Sequence, residues 1–519
     1  MSPRSQAHAD YRITSATESG GSQAVAIIAV VFGVLLGIIS WFIMGRTGLD
    51  TVMIVLGVII LGAVLSFVSW HNLAVLVVLW LFTMSGFRTF AMIHVPFMPD
   101  ISVERVIAAW LAVLFSLRLI MKRDTIQGPY TLDVILLLHT AYVLANVMYI
   151  GNSIRMHEWA ISSVSPFVAY LVGKYMLRRD RDVQVVFLFF LAVTIYYYVQ
   201  SIAQKYDLDF LIWPRAIVER EKGLWPMGRS RGPFLHPPLF GQMMAMVMLV
   251  QFYFFHRIKL RTGRMLLLAS ILLSSLGLLF TYTRAPWLAA AFGILTLAIM
   301  RPGYRQLVLT LSVIVALAVF FGTVRFTDEK LFRERFQNKM TIENRLAAMS
   351  AALRMWRDNP LLGIGYFNWD KYYGRYQRGE EIPFYGYVSR AAARYLVPHD
   401  IYWGRLAEEG IVSLALLWAA LGVVWLRFRR LWRVVPGRSW LNRDGLALFA
   451  GIFVCYMVGG TGIDFRYFDL VNVIPYLLAG ILYGYQVPEH DPLPPPYQLW
   501  TPPSFANSSD QAEPTASHV

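Results

Sequence analysis

At 519 residues, 57% of them hydrophobic and only 15% charged, the chain is too apolar for a soluble globular domain and reads as a polytopic membrane protein. Its single cysteine, Cys455, excludes an intrachain disulfide framework and a cysteine-based metal site. A formal net charge of +15 favours anionic ligands, but nucleic acid is a poor candidate, because the aromatic residues fall where membrane-interface belts are expected.

Residues 1–23 are polar and read as a cytoplasmic N-terminal segment. The apolar run 24–44 is long enough to span a bilayer and has no small-residue cleavage site after it, so it reads as an anchor and not a signal peptide. Apolar segments of span length recur near 24–44, 51–69, 71–87, 102–121, 130–150, 159–177, 183–203, 237–256, 265–282, 285–300, 305–323, 409–427, 444–462 and 468–486, which predicts an all-α protein of 12–14 transmembrane helices. Trp70-His71-Asn72 alone separates the second from the third, as a tight hairpin or one broken helix. The organisation expected is N-terminal helices over 24–203, a functional region over 204–430 that includes a large loop at 324–398, C-terminal helices over 431–486, and a disordered proline-rich tail at 487–519.

Each crossing changes side, so basic connections should fall together. Arg118, Lys122 and Arg123 follow the fourth span, Lys174, Arg178, Arg179 and Arg181 the sixth, and Arg257, Lys259, Arg261 and Arg264 the eighth. Arg301 and Arg305 follow the tenth; Arg427, Arg429, Arg430, Arg433, Arg438 and Arg443 follow the twelfth. All of these spans are even-numbered, which places both termini in the cytoplasm. Three segments oppose the bias: 204–236, with Arg215, Arg220, Lys222, Arg229 and Arg231; the loop 324–398; and the turn Thr281-Tyr-Thr-Arg-Ala-Pro286. Long loops translocate whatever their charge, but the last turn is too short for Arg284 to reach solvent by wandering. A guanidinium at that outer surface suits a phosphate or pyrophosphate, whose oxygens match its planar fork of donors.

In the large loop, Thr341 can cap a helix through Ile342, Leu346, Leu353 and Trp356 that Pro360 stops, with Arg345, Arg354 and Arg357 as its basic residues. Leu361-Leu-Gly-Ile-Gly365 then reads as a tight turn; without a preceding strand or a third glycine it is no nucleotide-binding loop. His399 stands just before the twelfth span. A lone histidine is more often structural, yet its ordinary pKa suits a general base, and Glu408 or Glu409 follows within reach on the next helix. His236, at the mouth of the eighth span, caps that helix or faces the same cavity. Asp207 and Asp209 lack a third ligand and read as a solvated turn.

Three segments together resemble the bacterial O-antigen ligase and polymerase family of membrane glycosyltransferases. They are Arg231-Gly-Pro-Phe-Leu-His-Pro-Pro238, Thr283-Arg284, and the run from Arg345 through Pro360-Leu-Leu-Gly-Ile-Gly365 to His399 and Glu408-Glu-Gly410. The resemblance covers roughly residues 200 to 430 and implies a GT-C-like fold in the bacterial inner membrane. It also implies an undecaprenyl-pyrophosphate-linked glycan as donor, a glycan or lipid acceptor, and neither metal nor cofactor. Arg284 and Arg231, or Arg229 in its place, would hold the donor pyrophosphate, and His399 would activate the acceptor hydroxyl. His236, Arg345 and Glu408 would contribute to donor or acceptor binding. Chain-length regulators or export proteins are the partners such a protein would have. Asp400, where Asn or Ser is commoner, and about fourteen spans against the family's usual twelve or so are departures. A flippase or transporter of lipid-linked glycan is the alternative class; such proteins bury ionisable groups in mid-membrane, and here the span centres read as nearly free of charge.

Overall fold

The computed structural model describes residues 62–86, 92–93, 101–152, 156–214, 217–218, 228–310, 313, 340–382, 385–388, 398–435, 437 and 439–486. The segment 1–23, the span expected at 24–44, parts of those at 51–69 and 305–323, the tail 487–519, and Arg215, Arg220 and Lys222 lie outside them.

A helical stretch at 62–71 ends at Asn72, whose Oδ1 accepts from the Ala74 amide and caps α1 (Leu73–Gly86). Then come α2 (Val103–Ile120), α3 (Thr131–Tyr149), α4 (Met156–Trp159) and α5 (Ser165–Met176), the last two joined by a π-helical turn at Ala160–Val164. They are followed by α6 (Asp180–Lys205), α7 (Pro237–Val247), α8 (Leu249–Arg257), α9 (Arg261–Leu279) and α10 (Arg284–Met300). The loop region contributes α11 (Met340–Asp358), α12 (Trp369–Tyr376) and a hairpin of Glu380–Ile382 with Gly386–Val388. The chain then forms α13 (Ile401–Val434), α14 (Arg443–Gly460) and α15 (Asp469–Gly484). Among the described residues, six helices are long and apolar enough to cross a membrane and three shorter apolar ones join them. This is an all-α polytopic membrane protein.

The continuous pair α7–α8 and α15 are almost wholly buried and form the centre of the bundle. Small residues bring the helices close, as expected where lipid supplies no hydrophobic drive. A Cβ added to Gly173 of α5 would stand 2.2 Å from the Leu477 carbonyl of α15, and one on Gly293 of α10 would stand 3.1 Å from the Gly451 carbonyl of α14.

The basic connections gather at one end. Arg178 Nη1 donates to the Thr125 carbonyl, the Arg178 carbonyl accepts from the Gln486 amide, Arg257 donates to the Ser439 carbonyl, and Arg301 pairs with Asp444 at 2.6 Å. Asp180 accepts from Ser439 and from the Trp440 amide. The described connections at 150–152, 206–214, 228–235, 281–284, 360–368, 398–400 and 461–468 lie at the opposite end.

The large loop has a core of its own. The face of α11 that it buries is Ala347, Ala348, Ala351, Ala352 and Met355, packed with Trp369, Tyr373 and Ala407. The expected stripe is displaced: Ile342 is exposed, and Leu346, Leu353 and Trp356 are half-buried. Alanines face inward because α11 lies against the first turns of α13, where only small side chains permit so close an approach.

Candidate active site

Three helices start at the end opposite the basic connections: α7 after His236, α10 with Arg284 as its first residue, and α13 after Asp400. The positive ends of their dipoles make this end attractive to anions. The backbone is strained beside each start. Leu235, Tyr282 and His399 take φ of 55°, 46° and 51°, left-handed values that side chains with a Cβ rarely adopt and that concentrate at functional sites.

Side chains hold these turns in place. Arg229 donates from Nε to the Thr281 carbonyl at 3.0 Å and from Nη2 to Thr283 Oγ1 at 2.8 Å, clamping the turn that presents Arg284. Gln204 Oε1 accepts from the Arg231 and Gly232 amides, both at 2.8 Å, and Arg231 is buried. His236 Nδ1 accepts from the Leu239 amide at 3.3 Å, so it caps α7 and carries its proton on Nε2. Asp400 Oδ1 caps α13 by accepting from the Tyr402 and Trp403 amides.

Electrostatics join the parts. Burial holds His236 down at about 4, with Arg229 and His399 acting in the same direction. Burial also holds the His399 imidazole below the ordinary histidine range; the Arg345 guanidinium adds to this and the Asp464 carboxylate opposes it. Arg345 reaches across as well: a Cβ on Gly462 would meet Arg345 Nη1 at 3.3 Å and the Cβ of Ala285, next to Arg284, at 2.5 Å. His236, Arg229, Arg284, Arg345 and His399 therefore share one end and one electrostatic neighbourhood. Arg231 lies in the wall beside Gln204.

Glu408 is not part of this cluster. It is wholly buried, with Oε1 accepting from the Trp369 amide at 2.8 Å and Oε2 bound by Arg466 Nη1 at 2.7 Å. Both of its oxygens are thus engaged within the protein, one holding the start of α12 and the other Arg466. The carboxylate that acts on His399 is Asp464, from the connection between α14 and α15.

Beneath the site runs a buried ionic network that the sequence reading passed over. Arg466 holds Asp464 at 2.7 Å and Glu409 at 3.2 Å besides Glu408. Arg405 holds Glu409 at 2.7 Å and lies 3.0 Å from His139 Nε2, while the Ser413 hydroxyl also donates to Glu409. Two signals were available. Arg405 and Glu409 stand four residues apart on one helical face, and Asp464-Phe-Arg466 places a charge pair in the connection between two apolar helices. Before the span expected at 409–427, across the break at Gly410, lies a further helical segment that begins at Ile401 and carries these charges. The charged turns thus stand at one end of α13, around and before its break.

The turn after α11 enters a break in α13. Gly410 has φ 72° and ψ −174°, which frees the carbonyls of Ala407 and Glu408; these accept from the Ile364 and Gly365 amides at 2.9 and 3.0 Å. Ile411 N returns a bond to the Pro360 carbonyl at 3.0 Å. The Leu361–Gly365 segment is thus a tight turn, as expected, seated against a helix. Among the described residues no group of three or more His, Cys, Asp or Glu side chains is arranged to hold a metal.

Fold and site define a polytopic membrane protein with a basic, histidine-containing cluster at one end of its bundle. Residues 268–418 match the family model described as O-Antigen ligase, so that segment is similar to proteins of this type. The matched stretch contains Arg284, Arg345, His399 and the turn seated in α13; Arg229, Arg231 and His236 precede it. No curated protein matches the chain.

Proposed function

We propose that the protein is a glycosyltransferase of the inner membrane that transfers or polymerises undecaprenyl-pyrophosphate-linked glycan at the periplasmic face. The observation that carries this reading is the gathering of Arg284, Arg345, His236 and His399 around three helix N-termini, on strained turns, beside a segment of O-antigen ligase type. His399 takes the proton of the acceptor hydroxyl. The oxygen attacks the anomeric carbon from the face opposite the pyrophosphate, the glycosidic carbon–oxygen bond to phosphate breaks with its electrons leaving on the pyrophosphate, and the anomeric configuration inverts. Arg284 and Arg231 receive that charge, preorganised by their surroundings, so the reaction is metal-independent. Arg229 shapes the turn that aims Arg284.

The test is transfer from a purified lipid-linked donor in liposomes with chelator present. His399→Gln keeps polar reach without basicity and is expected to lose about 10²- to 10⁴-fold in rate with donor binding nearly intact. Arg284→Lys keeps the charge but not the bidentate fork and should be clearly impaired. Wild-type rates from both variants would remove the reading and leave lipid-glycan translocation as the function to test.

A further inference from the structure

The turn that fills the break in α13 has a third wall. From α3, the buried Asn146 donates through Nδ2 to the Leu362 carbonyl at 2.7 Å and accepts through Oδ1 from the Tyr366 amide, also at 2.7 Å. One helical turn earlier, the Tyr142 hydroxyl stands 2.6 Å from the Glu409 carbonyl and 3.1 Å from that of Leu361, touching both sides of the junction. The end of α3 is tied in as well: the Asn152 amide donates to the Tyr366 carbonyl and Asn368 Nδ2 to the Ile150 carbonyl, each at 3.0 Å.

These contacts form a closed mechanical path. Arg345 rides on α11, which ends at Asp358, immediately before the turn. The turn is bonded into α13, and the first residue of α13 follows Asp400, the neighbour of His399. Moving the turn therefore moves Arg345 relative to His399. We propose that Asn146 and Tyr142 are positioning residues that lock the 360–366 turn into the break of α13 and so fix the spacing of Arg345 and His399. The lock is a matter of geometry; its consequence for activity rests on the function proposed above.

The experiment uses the full chain in a Cys455→Ser background with nitroxide labels at Ile342→Cys on α11 and Leu426→Cys on α13, both exposed positions. The otherwise unaltered protein should give one narrow distance distribution. Asn146→Leu should broaden or shift it, and Tyr142→Phe, which deletes one hydroxyl, should do so to a lesser degree. In the transfer assay Asn146→Leu should lower kcat by up to about 10²-fold with a far smaller change in the donor KM, the cost of a misplacement near 1 Å. The same change in an Arg345→Ala background should cost much less, because coupled residues are not additive. An unchanged distance distribution overturns the inference, as does full additivity with Arg345→Ala. Should Asn146→Leu fail to fold, Tyr142→Phe carries both measurements. If the unaltered protein transfers no glycan, the functional reading fails and the distance measurement alone decides the lock.

Discussion

Arg229 is bonded to the carbonyls of Thr281 and Tyr282 and to Thr283 Oγ1, and the turn it holds leads directly into Arg284 at a helix start. His399 shows the same dependence on surroundings, since burial and Arg345 keep its imidazole neutral, as a base requires. The sign of the pH dependence follows. A base is competent above its pKa, and that pKa is lowered, so activity should hold as pH falls through 6.5 and decline only below it. Asp400, pushed up to about 6 mainly by burial, titrates nearby and could imitate this limb by weakening its cap. Asp400→Asn keeps a capping oxygen without a titration. The acid limb of kcat/KM should survive that change; its disappearance would assign the limb to Asp400 and not to His399.

Among the elements, α13 governs the site because it is interrupted. An unbroken helix would satisfy its own carbonyls and leave the 360–366 turn without partners. Gly410 is required twice over: its φ is left-handed, and a Cβ there would stand 2.1 Å from the Leu361 carbonyl. Gly410→Ala should therefore cost about 1–3 kcal/mol in backbone strain alone, displace the turn, and lower the apparent unfolding temperature in detergent. Gly374→Ala in α12, with nothing within 4 Å of the added Cβ, should be neutral or slightly stabilising and serves as the control. Equal melting temperatures for the two variants would mean that the break is not held by this contact.

At the scale of the whole molecule, charge divides between two ends. One gathers the basic connections around Asp180, Asp444 and Gln486; the other holds arginines and histidines at helix starts. Basic connections belong in the cytoplasm, so the second end is expected to face the periplasm. In a Cys455→Ser background, Tyr387→Cys on the exposed hairpin should react with an impermeant maleimide in cells whose outer membrane alone has been opened, and Gly437→Cys only after the inner membrane is breached. The reverse pattern would invert the topology and remove the proposed periplasmic reaction.

Periodicity and apolar length are local properties, so most helices were legible from residues alone: the segments read at 102–121, 130–150 and 285–300 are α2, α3 and α10 to within a residue or two. Arg284 stood out because its connection is too short to dilute it in solvent, and His236 and His399 because each stands at the mouth of a span. Pairing, by contrast, is a property of three dimensions. Glu408 and Arg466 are 58 positions apart yet 2.7 Å apart in space, and nothing in a one-dimensional pattern says that the carboxylate is bound by that guanidinium. The helical segment from Ile401 up to the break was not legible for the same reason. Arg405, Glu408 and Glu409 look too polar for a buried helix until Asp464, Arg466 and His139 arrive from elsewhere to neutralise them, and only tertiary structure could bring those partners together.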